Sequence, residues 1–126
     1  MLEKFTTQTL EAILDTLPVD LTFIDANDII RYYNKEGNRI HKRTPSLLGS
    51  KVHDCHKPQS HQHLNEVLDD LKSGKKPFVE FWSDHDGRKI HTHYFAVKDK
   101  SGRYIGALGV DQDITEIQKI TGQKRY

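Results

Sequence analysis

The sequence predicts an α+β domain built on an antiparallel sheet. Apolar residues at helical spacing lie between stretches that alternate with a period of two, in the order α-β-β-α-α-α-β-β-β. The chain has 126 residues, the size of one domain. Leu, Ile, Val and Phe make up about a quarter of it, above the rough one-fifth floor below which chains stay disordered. A core is therefore expected, but a thin one.

Each element has its own signal. Leu10, Ile13, Leu14 and Leu17 fall at i, i+3, i+4 and i+7, an amphipathic helix over 7–17 that Pro18 ends. Residues 21–25 read as a strand, 26–28 as turn chemistry, and 29–33 as a second strand. The polar stretch 34–43 is expected to be helical in part. Residues 44–49 form a compact helical turn, with Thr44 as cap, Pro45 at the first position and Gly49 at the left-handed exit. Leu64, Val67, Leu68 and Leu71 repeat the helical spacing, closed by Ser73-Gly74. Strands follow at 78–83, 90–97 and 104–110, and a C-terminal helix is expected within 111–121. Phe78, Glu80 and Trp82 share one strand face. His91, His93, Phe95 and Val97 share another, opposite to Tyr94.

Composition narrows the function. With 19 basic and 18 acidic residues, a dedicated nucleic-acid binder is not expected. No run of about 18 apolar residues marks a membrane span. The N-terminal segment carries Glu3 and Glu11 and does not read as a secretory signal. A single cysteine excludes an internal disulfide, and a cytoplasmic address is the default expectation. The unusual count is eight His, which mild acid would charge.

The element order resembles a PAS domain. Leu17-Pro18 followed by Phe23-Ile24-Asp25 looks like that family's first strand, and Ile29 to Asn34 like its second. Leu47-Leu48-Gly49 is similar to its Leu-Gly turn. Gly87-Arg88 and Gly102 match its hairpins, and residues 106–115 its last strand and Asp-Ile-Thr exit. The segment from Val52 to His63 also resembles a bacterial subgroup with Cys-His-x-Pro-x-Ser, often found beside haemerythrin-like domains or domains of unknown function. The resemblance implies a five-stranded antiparallel sheet cradling a small-molecule pocket, with short helices covering one face and an N-terminal amphipathic helix. It divides the chain into an N-terminal cap (1–19), a PAS core (20–115) and an exit segment (116–126). It further implies a sensor, a homodimer and an output through the terminal segments. The tail is too short for an effector domain, so an output protein or a second copy is expected.

The densest chemistry is His53, Cys55, His56, Ser60, His61 and His63. Thiolate and imidazole ligate zinc, iron and copper. A helix starting near Pro58 would turn Ser60, His61 and Leu64 inward and His63 partly outward. His53, Cys55, His56, His61 and His93 are therefore the metal candidates. Cys55, His56, Ser60, His61, Trp82, His93 and Tyr94 are the ligand-pocket candidates. Haem is a further candidate cofactor, since haem-binding PAS domains use a histidine on the long helix, where His61 or His63 could serve. Flavin photochemistry is argued against, because Cys55 lacks the Asn-Cys-Arg-Phe context of the light-sensing branch. A helix N-terminus near Cys55 would lower its thiol pKa. Asp113 and Thr115 resemble the family's signal-exit pair, which implies that Thr115 caps the outgoing helix. Three functions follow: a small-molecule sensor, a metal- or haem-based redox or gas sensor, and a small enzyme using Cys55 with a neighbouring His. The last lacks a visible oxyanion hole.

Overall fold

The computed structural model describes residues 1–126. Helix α1 (Thr7–Thr16) leads into β1 (Asp20–Asp25) and β2 (Ile30–Tyr33). Three short 3-10 turns follow, at Pro45–Leu47, Val52–Cys55 and Pro58–Ser60, the last feeding α2 (His61–Lys72). The chain closes with β3 (Phe78–His85), β4 (Arg88–Lys98) and β5 (Tyr104–Asp113). All pairings are antiparallel in one five-stranded sheet, in the order β2-β1-β5-β4-β3. The last strand therefore lies at the centre. No helix is long and apolar enough to cross a membrane.

Pleat and turn chemistry set this sheet. Asp86 and Gly87 both have positive φ (51° and 77°) and join His85 to its partner Arg88. An Asp-Gly pair supplies that two-residue primed turn at little steric cost. Alternation along β4 then fixes the faces. Thr92 and Tyr94 pair with Asp111 and Gly109 on the inner face, while His91, His93 and Phe95 look outward. Helix α2 lays Leu64, Val67, Leu68 and Leu71 against Ile24, Ile30, Val52 and Ala107. Only 15 of 126 residues are buried, so this one helix-on-sheet contact is the core that the composition leads one to expect.

Two helical expectations are corrected. Residues 34–43 contain no helix. Lys35 and Gly37 adopt positive φ (56° and 89°), which breaks helical continuity. Arg39 pins the loop instead, donating to the Leu21 carbonyl (3.1 Å), the Asn34 carbonyl (2.6 Å) and Thr22 Oγ1 (3.1 Å). Asp20 accepts from the Ile40 N–H at 2.7 Å. The C-terminal helix is also absent. β5 runs on to Asp113, and only a 3-10 turn at Ile117–Lys119 follows. Thr44 makes no cap bond and pairs its hydroxyl with Ser46.

Helix α1 buries none of its residues fully. Its attachment is polar. Asn34, 1% exposed, accepts from the Leu21 N–H at 2.6 Å and donates to the carbonyls of Leu14 (2.9 Å) and Val19 (3.1 Å). Asp15 accepts from the Lys35 N–H at 2.9 Å. A single side chain thus joins the helix end and β1 to the residue that follows β2.

Candidate functional site

A cavity of about 330 Å3 lies between the inner sheet face and α2. The sheet contributes Phe81, Thr92, Tyr94 and Asp111, and α2 contributes His63, Leu64 and Val67. The segment before α2 adds Cys55, His56 and Ser60, and the 34–43 loop adds His41 and Arg43. Four pocket candidates from the sequence meet there: Cys55, His56, Ser60 and Tyr94. Three do not. Trp82 and His93 project from the outer face, because the strand pleat admits only the residues in phase with Tyr94. The ring of His61 turns back on the chain, and Nε2 donates to the carbonyls of His53 (2.8 Å) and His56 (3.2 Å). The orientation expected for His61 and His63 is therefore reversed: His63 lines the cavity, edge-on to Phe81 with ring centroids 5.8 Å apart.

The Cys-His cluster is held by backbone rather than converging on one point. The Val52 carbonyl accepts from both Cys55 Sγ (3.0 Å) and His56 Nδ1 (3.0 Å). His53 Nε2 donates to Asn65 Oδ1 at 2.6 Å. The ligand atoms of His53, Cys55, His56 and His61 do not gather within 4.8 Å of one another as a set of three, and His93 is on the other side of the sheet. The cavity is at the small end of organic-ligand sites, which suits a small metabolite better than a haem macrocycle.

Electrostatics give the cavity a polarity. Arg43 Nε is buried without a hydrogen-bond partner, a costly state for a guanidinium donor. Thr92 Oγ1 donates to Asp111 Oδ1 at 2.6 Å. Burial, reinforced by the Asp111 carboxylate, pushes the Tyr94 hydroxyl up to about 12, so it stays a donor. Burial also holds the His56 imidazole below its ordinary range, helped by the Arg43 charge, which keeps the ring neutral at pH 7. Burial pushes the Cys55 thiol above its ordinary value, against the lowering expected from a helix N-terminus. Val52–Cys55 is a single 3-10 turn and Cys55 sits at its C-terminal end, where no N-terminal dipole acts. Cys55 should accordingly react with iodoacetamide at pH 7 several-fold more slowly than a free small thiol, with the rate climbing beyond the usual thiol range. Faster labelling than the free thiol would restore Cys55 as a nucleophile.

The exit pair is present in altered form. The N–H and Oγ1 of Thr115 both donate to Asp113 Oδ1 (3.0 and 2.6 Å). Thr115 Oγ1 in turn accepts from the Lys89 N–H at 2.9 Å, and the Ile114 N–H donates to the Lys89 carbonyl at 2.8 Å. Thr115 therefore fastens the chain to β4 instead of capping a helix. These bonds hold the Asp113 carboxyl below its usual range.

Alternation from Tyr94 could have located Thr92 in the cavity. Nothing local in the sequence marks His41, Arg43 or Asp111, which arrive through a loop and a long-range strand pairing.

A five-stranded antiparallel sheet with a polar-lined hollow under one helix and a few short turns defines a small α+β domain. A model of the PAS domain family matches residues 10–115, and the chain belongs to that family. A crystal structure of a C-terminal domain from Streptococcus mutans is similar at 30% identity, with TM-score 0.85, over 93% of this chain and 91% of that one. A sensory box sensor histidine kinase from Vibrio cholerae superposes at TM-score 0.61 and 16% identity, over 84% and 89% of the two chains. The VqmA dimer of Vibrio cholerae superposes at TM-score 0.63 and 18% identity, over 94% of this chain and 56% of that one. The last two establish likeness of fold. Comparison with curated proteins finds no match.

Proposed function

We propose that this PAS domain is a sensory module that binds a small, anionic or acceptor-rich molecule in the cavity under α2. The observation that carries the reading is the hollow itself, with the buried, unpartnered Arg43 Nε on its wall. An acceptor on the ligand would satisfy Arg43 and meet the Tyr94 hydroxyl, while Phe81, Leu64 and Val67 take its apolar part. Binding would bias the exit segment through β5, since Asp111 lines the cavity and Asp113, two residues on, holds Thr115. The unit that responds is a homodimer, supported by the exposed Ile13 of α1, Leu17 just after it, and Phe78 and Trp82 on the outer sheet face.

The test is a titration of the 15N-labelled chain with a panel of small mono- and dicarboxylates and phosphate. At least one should give saturable amide shifts at Thr92, Tyr94 and Asp111. Arg43→Gln should weaken that binding about tenfold or more, the loss of a charged hydrogen bond. Shifts confined to the outer face, or none with any member of the panel, would sink the reading.

A further inference from the structure

We propose that Glu80, His91 and His93 form a binding site for a divalent transition metal on the outer face of the sheet, on the opposite side from the cavity. One ligand atom from each lies within 4.8 Å of the other two. Glu80 Oε2 is 2.8 Å from His91 Nε2 and 3.3 Å from His93 Nε2. A tetrahedral ion with bonds of about 2.0–2.1 Å holds its ligand atoms about 3.3 Å apart. Two edges of that tetrahedron thus stand near their final length, and a small rotation of either imidazole closes the third. The fold sets the spacing. His91 and His93 are one pleat apart on β4, and Glu80 is directly opposite His93 in the β3–β4 register.

The surroundings favour a metal over a plain ion pair. Trp82 lies parallel to the His91 ring (interplanar angle 9°), and Phe78 and Phe95 flank His93 at centroid distances of 5.7 and 4.8 Å. These rings border the two imidazoles and leave them room to turn toward a shared ion, in the place that a second layer of residues takes around metals. Two imidazoles and a carboxylate select Zn2+, Ni2+, Co2+ or Cu2+. Mg2+ and Ca2+ prefer all-oxygen sites. The side chain of Glu80 is half-exposed, leaving the remaining coordination position open to solvent or to a donor from another molecule.

The experiment uses the whole chain freed of metal by a chelator. ZnCl2 is followed by calorimetry, and NiCl2 by the fluorescence of Trp82, the one tryptophan of the chain. One equivalent of each should bind and nickel should quench the emission, while MgCl2 does neither. Glu80→Gln, His91→Ala and His93→Ala should each weaken binding by about tenfold or more. Cys55→Ser and His63→Ala should leave it unchanged. The imidazole signals of His91 and His93 in the unaltered chain should shift with the first equivalent of zinc, a readout independent of how any variant folds. No saturable binding up to about 1 mM, binding that survives the three substitutions, loss on Cys55→Ser, or unmoved His91 and His93 signals would each overturn the site. Because the cavity plays no part in this test, failure here and failure of the carboxylate titration are separate results.

Discussion

Asn34→Ala should free α1 from the sheet and destabilise the domain by about 3 kcal/mol. The substitution strands the Leu21 N–H and the Val19 carbonyl and leaves the Leu14 carbonyl only the Leu17 N–H at 3.3 Å. It also removes the Oδ1 that Arg39 Nη1 meets at 3.2 Å. Leaving one buried polar group unsatisfied costs about 1–3 kcal/mol, and several are involved, some of which water will reach after rearrangement. Asn34→Asp should be no better, because it turns a second acceptor toward two carbonyls. Urea unfolding gives the stability. Hydrogen exchange gives the mechanism: amides of α1 should lose protection well before those of β4 and β5. Equal protection in α1 and the sheet of the variant would show that α1 is held by something other than Asn34.

Gly106→Ala should be comparably severe, by about 3 kcal/mol, for a steric reason. Gly106 sits in β5 opposite Asp25 and Val97. A Cβ there would overlap the Ile24 carbonyl oxygen and lie 2.7 Å from Phe23 Cζ, whose ring covers the glycine. The phenylalanine can swing aside. The Ile24 carbonyl belongs to the neighbouring strand and cannot move without prising β1 from β5. Overpacking of a side chain alone costs about 1–3 kcal/mol, and a backbone clash falls at or above the top of that range. Gly109→Ala is the internal control. Its Cβ would meet Tyr94 Cε1 at 3.1 Å, so a ring adjustment suffices and the loss should be smaller. If the two variants unfold at the same urea concentration, the tight β1–β5 approach is not a determinant of stability.

Much of this architecture was legible in the sequence, and the limits are physical. The spacing of Leu64, Val67, Leu68 and Leu71 located α2 and its buried face, because one helix supplies half of the core and its period is not diluted. The turns at 26–28 and 86–87 announced themselves through Asn, Asp and Gly. The 34–43 stretch did not. Its conformation is set by Arg39 and Asp20, whose partners lie 5 to 20 residues away, and no local propensity encodes such bonds. The same loop brings His41 and Arg43 to the cavity, so a misread loop became two missed site residues. β5 was cut short at 110 because Asp111, Gln112 and Asp113 are poor strand formers. Their pairing with Ile90, His91 and Thr92 overrides that preference. Their side-chain chemistry alone suggests both His93 and Tyr94 for the pocket. Neighbouring residues on a pleated strand face opposite ways, and Tyr94 is the one on the side that α2 covers. His93 instead joins His91 and Glu80; that the two imidazoles share a strand face is visible in their spacing, whereas their carboxylate partner depends on the register of another strand.

The central place of β5 also governs how the protein comes into being. While the polypeptide is being synthesised, the β1–β2 hairpin emerges early but has no neighbour, since its partner is encoded about 90 residues later (Asp20 pairs with Asp111). At about 5–20 residues per second, that edge waits several seconds, its unpaired N–H and C=O groups open to any passing strand. Closing so long a loop is entropically slow. Maturation of this chain is thus a race between its own final strand and a stranger's, and premature termination anywhere before residue 104 should yield a species that aggregates rather than a smaller folded one.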